Sequence, residues 1–177
     1  MDDERKNDND MKYGFVKVAA AVPAVKVADT EYNVLQVESL IAQAEGQGVE
    51  IMVFPELCLT GYSCQDLFKE QLLIDKAEEA LMSLLDFTRK LDVISIVGLP
   101  VQVGSLLYNC AAVVQGGQLL GVVPKTYLPN YGEFYEKRWF ASAQDLNPTD
   151  INLAGSPIHV SAEPLLFKTG KTPFFPF

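Results

Sequence analysis

Histidine occurs once in this chain, as His159, and cysteine only at Cys58, Cys64 and Cys110. An odd cysteine count without a CxxC pair, and with the histidine far downstream, argues against a disulfide framework and a structural zinc site, so no metal is expected. Cationic side chains are also scarce: 14 Lys and Arg face 23 Asp and Glu, a formal charge of −9 and a pI near 4.6. Nucleic acid and anionic membrane surfaces would be repelled before any specific contact formed, and neither is expected as a partner. No apolar run approaches the roughly 18 residues a membrane-spanning helix needs. The opening MDDERKNDNDMKYGF has neither the cationic start nor the apolar stretch of a signal peptide, so a cytoplasmic location is expected.

What is there suits a folded domain. Of the 177 residues 49% are hydrophobic and 21% charged, enough to bury a core, and one domain is the expectation at this length. Met1 to about Lys12 has too few apolar side chains to offset its ordering entropy and reads as a disordered lead-in, in which Met11 could be the natural start. The folded part spans 13–177. Phe15 to Val22 is a β-branched and small-residue run closed by Pro23, which predicts a buried strand. Asp29 or Thr30 can cap a helix with Val34, Val37, Ile41 and Ala44 on one face, ended by Gly46 and Gly48. A strand from Val49 to Phe54 stops at Pro55, and a long helix from about Asp66 to Leu91 carries Leu73, Ala77, Leu81, Leu84 and Leu91. Val93 to Leu99, ended by Pro100, is a third strand. Leu106 to Gln115 and Gln118 to Val123 are two more, joined by Gly116-Gly117, a two-residue hairpin signal rather than a phosphate-binding loop, because no helix follows it.

The predicted order is thus β-α-β-α-β-β-β, with short strands or loops among the prolines after Pro124. A mixed sheet with helices on one face, its other face left for a second sheet, is the simplest layering of that order. This α/β architecture by itself fits many functions.

Two residues stand where chemistry is commonly placed. Glu56, in Phe54-Pro55-Glu56-Leu57, follows directly on an apolar strand, at the carboxyl edge where ligand crevices open, and could act as a general base. Lys125, in Pro124-Lys125-Thr126-Tyr127, follows another apolar strand and could hold an oxyanion. Taken singly, each is more often a solvated strand-end residue.

Together, MVFPELCLTGY and PKTYLPNYGEFYEKRWF resemble the nitrilase superfamily of carbon–nitrogen hydrolases, whose Glu–Lys–Cys triad sits at strand ends of an α-β-β-α sandwich. The likeness runs from Tyr13 nearly to the C-terminus. ELCLTGYSCQDLF, YNCAAVVQGGQLLGVVPKTYLPNYGEFYEKRWF and VKVAAAVPAVKVADTEYNV are similar to the amidotransferase domain of glutamine-dependent NAD⁺ synthetases. The resemblance implies Glu56 as general base, Lys125 as the group stabilising the tetrahedral intermediate and Tyr131 as a wall of the glutamine pocket. It also implies a supporting carboxylate just after the lysine, for which Glu133 and Glu136 are both candidates. The implied activity is glutamine hydrolysis supplying ammonia for amidation of deamido-NAD⁺, with no cofactor in this domain. ATP and Mg²⁺ belong to a synthetase domain, the implied partner, which this chain lacks. Homo-oligomerisation is a further expectation.

The third member of the triad is absent. In the family the nucleophilic cysteine follows a later strand, in a phrase resembling G-V-E-I-C-E-D, and none of the three cysteines here holds that place. The sandwich is therefore expected to be incomplete at its C-terminal side and the chain inactive, whether as a cloned or proteolysed fragment or a truncated product. Cys58 and Cys64 lie close enough to Glu56 in sequence to approach the site, whereas Cys110 reads as a buried small hydrophobe. His159, between Ile158 and Val160, reads as structural. Trp139 and Phe140 read as core or interface aromatics rather than a cofactor site. Two further readings are a free-standing amidase or carbamoylase and a catalytically silent module that keeps only the fold.

Overall fold

A computed structural model of the protein describes residues 15–167; the lead-in expected over residues 1–12 lies outside them. The strand expected from Phe15 to Val22 narrows to β1 (Val18–Ala20), and the next, from Val49 to Phe54, to β2 (Ile51–Val53). Between them runs α1 (Thr30–Gly46). Asp29 is the residue that caps it, its carboxylate accepting from Tyr32 N at 3.1 Å, which satisfies one of the orphan amides of the first turn. The chain leaves α1 through Gly48 at φ 68°, a left-handed position open to glycine at no steric cost.

The second helix is shorter than its pattern suggests. α2 spans Gln71–Phe87, while Tyr62–Lys69 forms 3₁₀ turns broken at Gln65 (φ 53°, ψ −131°). Tertiary contacts of that segment, described below, outweigh its helical propensity. The remaining strands are β3 (Ile94–Val103), β4 (Leu106–Gln115) and β5 (Gln118–Pro124), with β6 (Thr149–Leu153) and β7 (Ser156–Val160) forming a separate antiparallel hairpin. β3 does not stop at Pro100, which pairs with Asn109 of β4. The carbonyls of Ile96 and Gly98 accept from Phe54 N and Leu59 N, away from β4. Pro100 shares their parity, so its missing N–H removes no bond from the β3–β4 ladder.

The sheet order is β1-β2-β3-β4-β5. The β1–β2 and β2–β3 pairings are parallel and the β3–β4 and β4–β5 pairings antiparallel, a mixed sheet of the expected kind. Gly116 and Gly117, both at positive φ, turn β4 into β5 as the hairpin signal predicts. Both helices pack on one face. Val34, Val37, Ile41 and Ala44 of α1 and Ala80, Leu81 and Leu84 of α2 are buried against Met52, Val97, Leu99, Val101, Tyr108, Ala112 and Val122. Each fully buried aliphatic side chain there contributes about 1.5–3 kcal/mol. Leu153 and Val160 of the hairpin join the same core.

The other face of the sheet is apolar and largely open. Val18 is 66% exposed and Val53 42%, and Ile51 and Ile96 are half-buried. Val113, on the same face, is buried: it pairs with Gly121, over which Leu165 and Phe167 lie.

Candidate active site

Glu56 reaches the site because the chain crosses β3 at a glycine. After β2, Phe54 N bonds Ile96 O at 2.9 Å, and the backbone of Pro55, Glu56 and Leu57 passes directly over Gly98. A Cβ on Gly98 would overlap Leu57 N and lie 2.8 Å from Glu56 C and Pro55 O. Leu57 then takes a left-handed φ of 52°, and Leu59 N returns to Gly98 O at 3.2 Å. The crossing carries Glu56 over the open face toward the ends of β4 and β5.

Lys125 follows Pro124 at the end of β5, its backbone N bonded to Asn109 O at 2.8 Å. Its ammonium lies 3.0 and 2.8 Å from the two oxygens of Glu56 and 3.0 Å from both oxygens of Glu136. Of the pair on Glu136 only Oε1 has hydrogen-bond geometry; Oε2 is buried and makes a charge contact alone. The side chain of Glu136 is 2% exposed, that of Lys125 22% and that of Glu56 52%. One carboxylate is thus shut into the protein and the other opens to solvent, where a substrate proton could reach it.

Glu136 opens a 3₁₀ turn, Glu136–Arg138, and two contacts fix it. Tyr62 donates its hydroxyl to Glu136 Oε1 at 2.7 Å. Burial, followed by the Glu136 hydrogen bond and charge, pushes the Tyr62 hydroxyl well above its ordinary range, so it stays a donor. The second is a clamp on the protein surface. Arg138 donates to both oxygens of Asp66 at 2.8 Å and Trp139 Nε1 donates to Asp66 Oδ1 at 2.9 Å. Those bonds, Arg138 first, hold the Asp66 carboxyl well below the usual carboxylate range. The clamp ties the 62–69 turns to Glu136–Arg138, and Phe68 packs on Phe140 with its ring tilted by 59° and the centroids 4.9 Å apart.

Of the two carboxylates left open by the sequence, Glu136 is the one at Lys125. Glu133 lies exposed in the preceding turn. Burial alone would lower the pKa of Lys125, but the hydrogen bonds and charges of Glu56 and Glu136 outweigh it, and the net shift is upward. Lys125 is therefore a fixed cation at neutral pH. Tyr131 is exposed on the same loop, 73%, edge-on to Phe134 at 6.0 Å.

None of the cysteines joins this group. Cys58 is buried with its thiol 3.7 Å from Gly98 O, and burial pushes its pKa up to about 11. Cys64 is buried on Thr60 O and Gly61 O, and Cys110 sits in the core; burial raises both thiols. The expectation that Cys58 or Cys64 could approach the site is not met, because the Cys58 thiol points at the Gly98 carbonyl of β3 and that of Cys64 at the Thr60 and Gly61 carbonyls of the turn after Glu56. His159 pairs with Asp150 at 2.7 Å on the exposed β6–β7 hairpin. Among the described residues no group of three or more His, Cys, Asp or Glu is arranged to hold a metal, and no helix is long and apolar enough to cross a membrane.

Sequence reasoning missed Tyr62 and Asn109. Asn109 Nδ2 donates to Glu56 Oε2 at 3.1 Å. A polar amide inside the apolar run of β4 was a readable signal, since a buried amide needs a partner.

The carbon–nitrogen hydrolase family profile matches residues 17–165. The glutamine-dependent NAD(+) synthetase of Mycobacterium tuberculosis is 36% identical over 164 residues, 93% of this chain and 24% of that protein. The one from Thermotoga maritima is 36% identical over 120 residues, 68% of this chain and 21% of that protein. The chain thus spans about a quarter of the length of these relatives. Among solved structures, a glutamine-dependent NAD(+) synthetase from Cytophaga hutchinsonii superposes with a TM-score of 0.79 at 28% identity, covering 87% of this chain and 26% of that one. An amidase from Nesterenkonia sp. shares the fold, with a TM-score of 0.60 at 20% identity over 82% of this chain and 54% of its own.

Proposed function

This chain belongs to the carbon–nitrogen hydrolase family, and on that premise we propose that it forms the base- and cation-bearing part of a glutaminase domain in a glutamine-dependent NAD⁺ synthetase. The reading rests on one observation: the carboxylates of Glu56 and Glu136 both lie within 3.0 Å of the Lys125 ammonium, with Glu56 and Lys125 following the ends of β2 and β5, in a chain whose relatives over this region are synthetases of that name.

A carboxamide is a poor electrophile, so its hydrolysis needs a thiolate, a base and an oxyanion donor. Glu56, half-exposed, takes the thiol proton as sulfur attacks the glutamine side-chain carbonyl. The developing oxyanion is held by the Lys125 ammonium, whose charge Glu136 keeps in place. Glu56 then delivers the proton to the departing ammonia, and afterwards accepts one from the water that cleaves the thioester. The thiol comes from sequence outside this chain, since Cys58, Cys64 and Cys110 face elsewhere. Tyr131 walls the glutamine pocket. The ammonia passes to a synthetase domain, where ATP and Mg²⁺ serve the amidation of deamido-NAD⁺. A cytoplasmic homo-oligomer is the proposed setting.

The test is Glu56→Gln in the full-length protein. Glutamine-dependent synthesis is expected to be abolished and ammonia-dependent synthesis retained. Equal loss of both would refute the assignment, and hydrolysis of N-carbamoyl compounds or simple amides in place of glutamine would favour a free-standing amidase.

A further inference from the structure

Glu56 must keep one geometry although its carboxylate is half open to solvent. Its ion-pair partner cannot impose that geometry alone. Lys125 contacts both Glu56 oxygens and is shared with Glu136, and an ammonium on a four-carbon stem pairs as a point charge without directional preference. A base that is to receive a thiol proton needs a donor fixed in space, leaving a defined oxygen turned to the substrate.

Asn109 meets that need. It lies within β4, buried to 3%, on the face of the sheet that Glu56 crosses, with its backbone paired to Pro100 of β3. Its Nδ2 donates to Glu56 Oε2 at 3.1 Å, while its main-chain carbonyl accepts from Lys125 N at 2.8 Å. One sheet residue therefore touches both members of the ion pair, the carboxylate through its side chain and the lysine through its backbone. The side-chain bond occupies Oε2 from the sheet side, which leaves Oε1, bound only by the Lys125 ammonium, as the oxygen free to take a proton. A directional donor held by a strand is a more exact positioning device than one held by a loop.

We propose that Asn109 is a positioning residue that sets the orientation of Glu56 relative to Lys125, selecting Oε1 as the proton-accepting oxygen. This deepens the glutaminase reading and rests on it. Asn109 touches no reacting atom and acts through Glu56 alone.

The experiment compares Asn109→Leu, a bulkier side chain with the same branching and no donor, with Asn109→Asp, which keeps the shape but turns an acceptor toward the carboxylate. Both are made in the full-length protein, in wild-type and Glu56→Gln backgrounds. Glutamine-dependent and ammonia-dependent synthesis are measured side by side. Either variant is expected to lower kcat for glutamine about 10- to 100-fold, the scale on which misplaced catalytic groups lose rate. KM for glutamine and the ammonia-dependent rate should stay within about twofold, and where residual turnover is measurable Glu56→Gln should lose nothing further from either change, since residues acting as a unit are not additive. If Asn109→Leu fails to fold, as loss of the ammonia-dependent rate would reveal, Asn109→Asp decides alone. Wild-type kcat in the folded variant would overturn the role of Asn109. A wild-type protein without glutamine-dependent activity would instead overturn the functional reading.

Discussion

Lys125 holds one positive charge between two carboxylates, and that count determines what each substitution does. Without it Glu136 is a buried anion with no cation, an arrangement whose disruption typically costs about 3–5 kcal/mol. We therefore expect Lys125→Ala to slow glutamine hydrolysis on the order of 10²-fold or more, the loss seen for a preorganised oxyanion donor, and also to lower the melting temperature. An unchanged rate in a folded Lys125→Ala protein would make the residue a surface lysine. The thiols make a second prediction at this scale. With burial pushing Cys58 up to about 11, it is protonated at pH 8, and only the thiolate reacts. Cys58 should resist alkylation in the native protein at pH 8 and be labelled on denaturation, as peptide mapping would show. Rapid native labelling would mean that its surroundings are misread. Glu56 and Lys125 each follow an apolar strand closed by a proline, but that placement alone did not single them out; the two motifs taken together, with the family they resemble, did. The choice between Glu133 and Glu136 was not legible, because it depends on which carboxylate a 3₁₀ turn directs inward, and both occur in one short polar stretch.

At the scale of elements, periodicity placed the apolar part of α1's buried face, since Val34, Val37, Ile41 and Ala44 obey a single helical repeat, but not the buried polar Thr30, Asn33 and Glu38 beside them. It failed where long-range contacts compete with local preference. The 62–69 segment was read partly as helix, yet its Asp66 carboxylate is taken by Arg138 and Trp139 from more than 70 positions away, and no local pattern encodes that. Pro100 misled in the same way: a proline ends a strand only if its nitrogen faces a partner. The crossing of Glu56 over β3 is the element-level feature with the clearest consequence. Gly98 has ordinary backbone angles, so the only demand on it is space, and a methyl group there meets the backbone of residues 55–57 rather than a side chain that could rotate. Gly98→Ala should cost about 1–3 kcal/mol, the range for overpacking. It should also depress glutamine hydrolysis about 10²-fold by shifting Glu56 roughly 1 Å, with ammonia-dependent synthesis as the control for folding. Full activity in Gly98→Ala would show that the 55–57 turn relaxes without moving the carboxylate.

For the molecule as a whole, the two faces of the sheet are unequal. The helix side is sealed by α1, α2 and the β6–β7 hairpin, whereas the opposite side shows Val18, Val53 and Val123, each at least 39% exposed, beside the half-buried Ile51 and Ile96. The order of elements foretold an open second face, since it set helices on one side of the sheet only. It did not foretell that Leu165 and Phe167 would cover its Val113 end, because the 161–167 stretch is irregular and carries no periodic signal. A contiguous apolar surface of this kind drives association. The proposed catalytic group lies on the same side, with the three thiols turned elsewhere, and cooperative catalytic residues lose most of their effect when one member is missing. The 177-residue polypeptide by itself should therefore self-associate in a concentration-dependent manner and release no ammonia from glutamine. Val53→Lys, which places a charge at the centre of the open row without touching the helix-side core, should shift it toward monomer. Size-exclusion chromatography with light scattering, run beside an ammonia-release assay, checks both halves. A monodisperse monomer at all concentrations would show that the exposed valines are too dispersed to associate, and turnover abolished by Cys58→Ser or Cys64→Ser would show that a thiol of this chain reaches Glu56 after all.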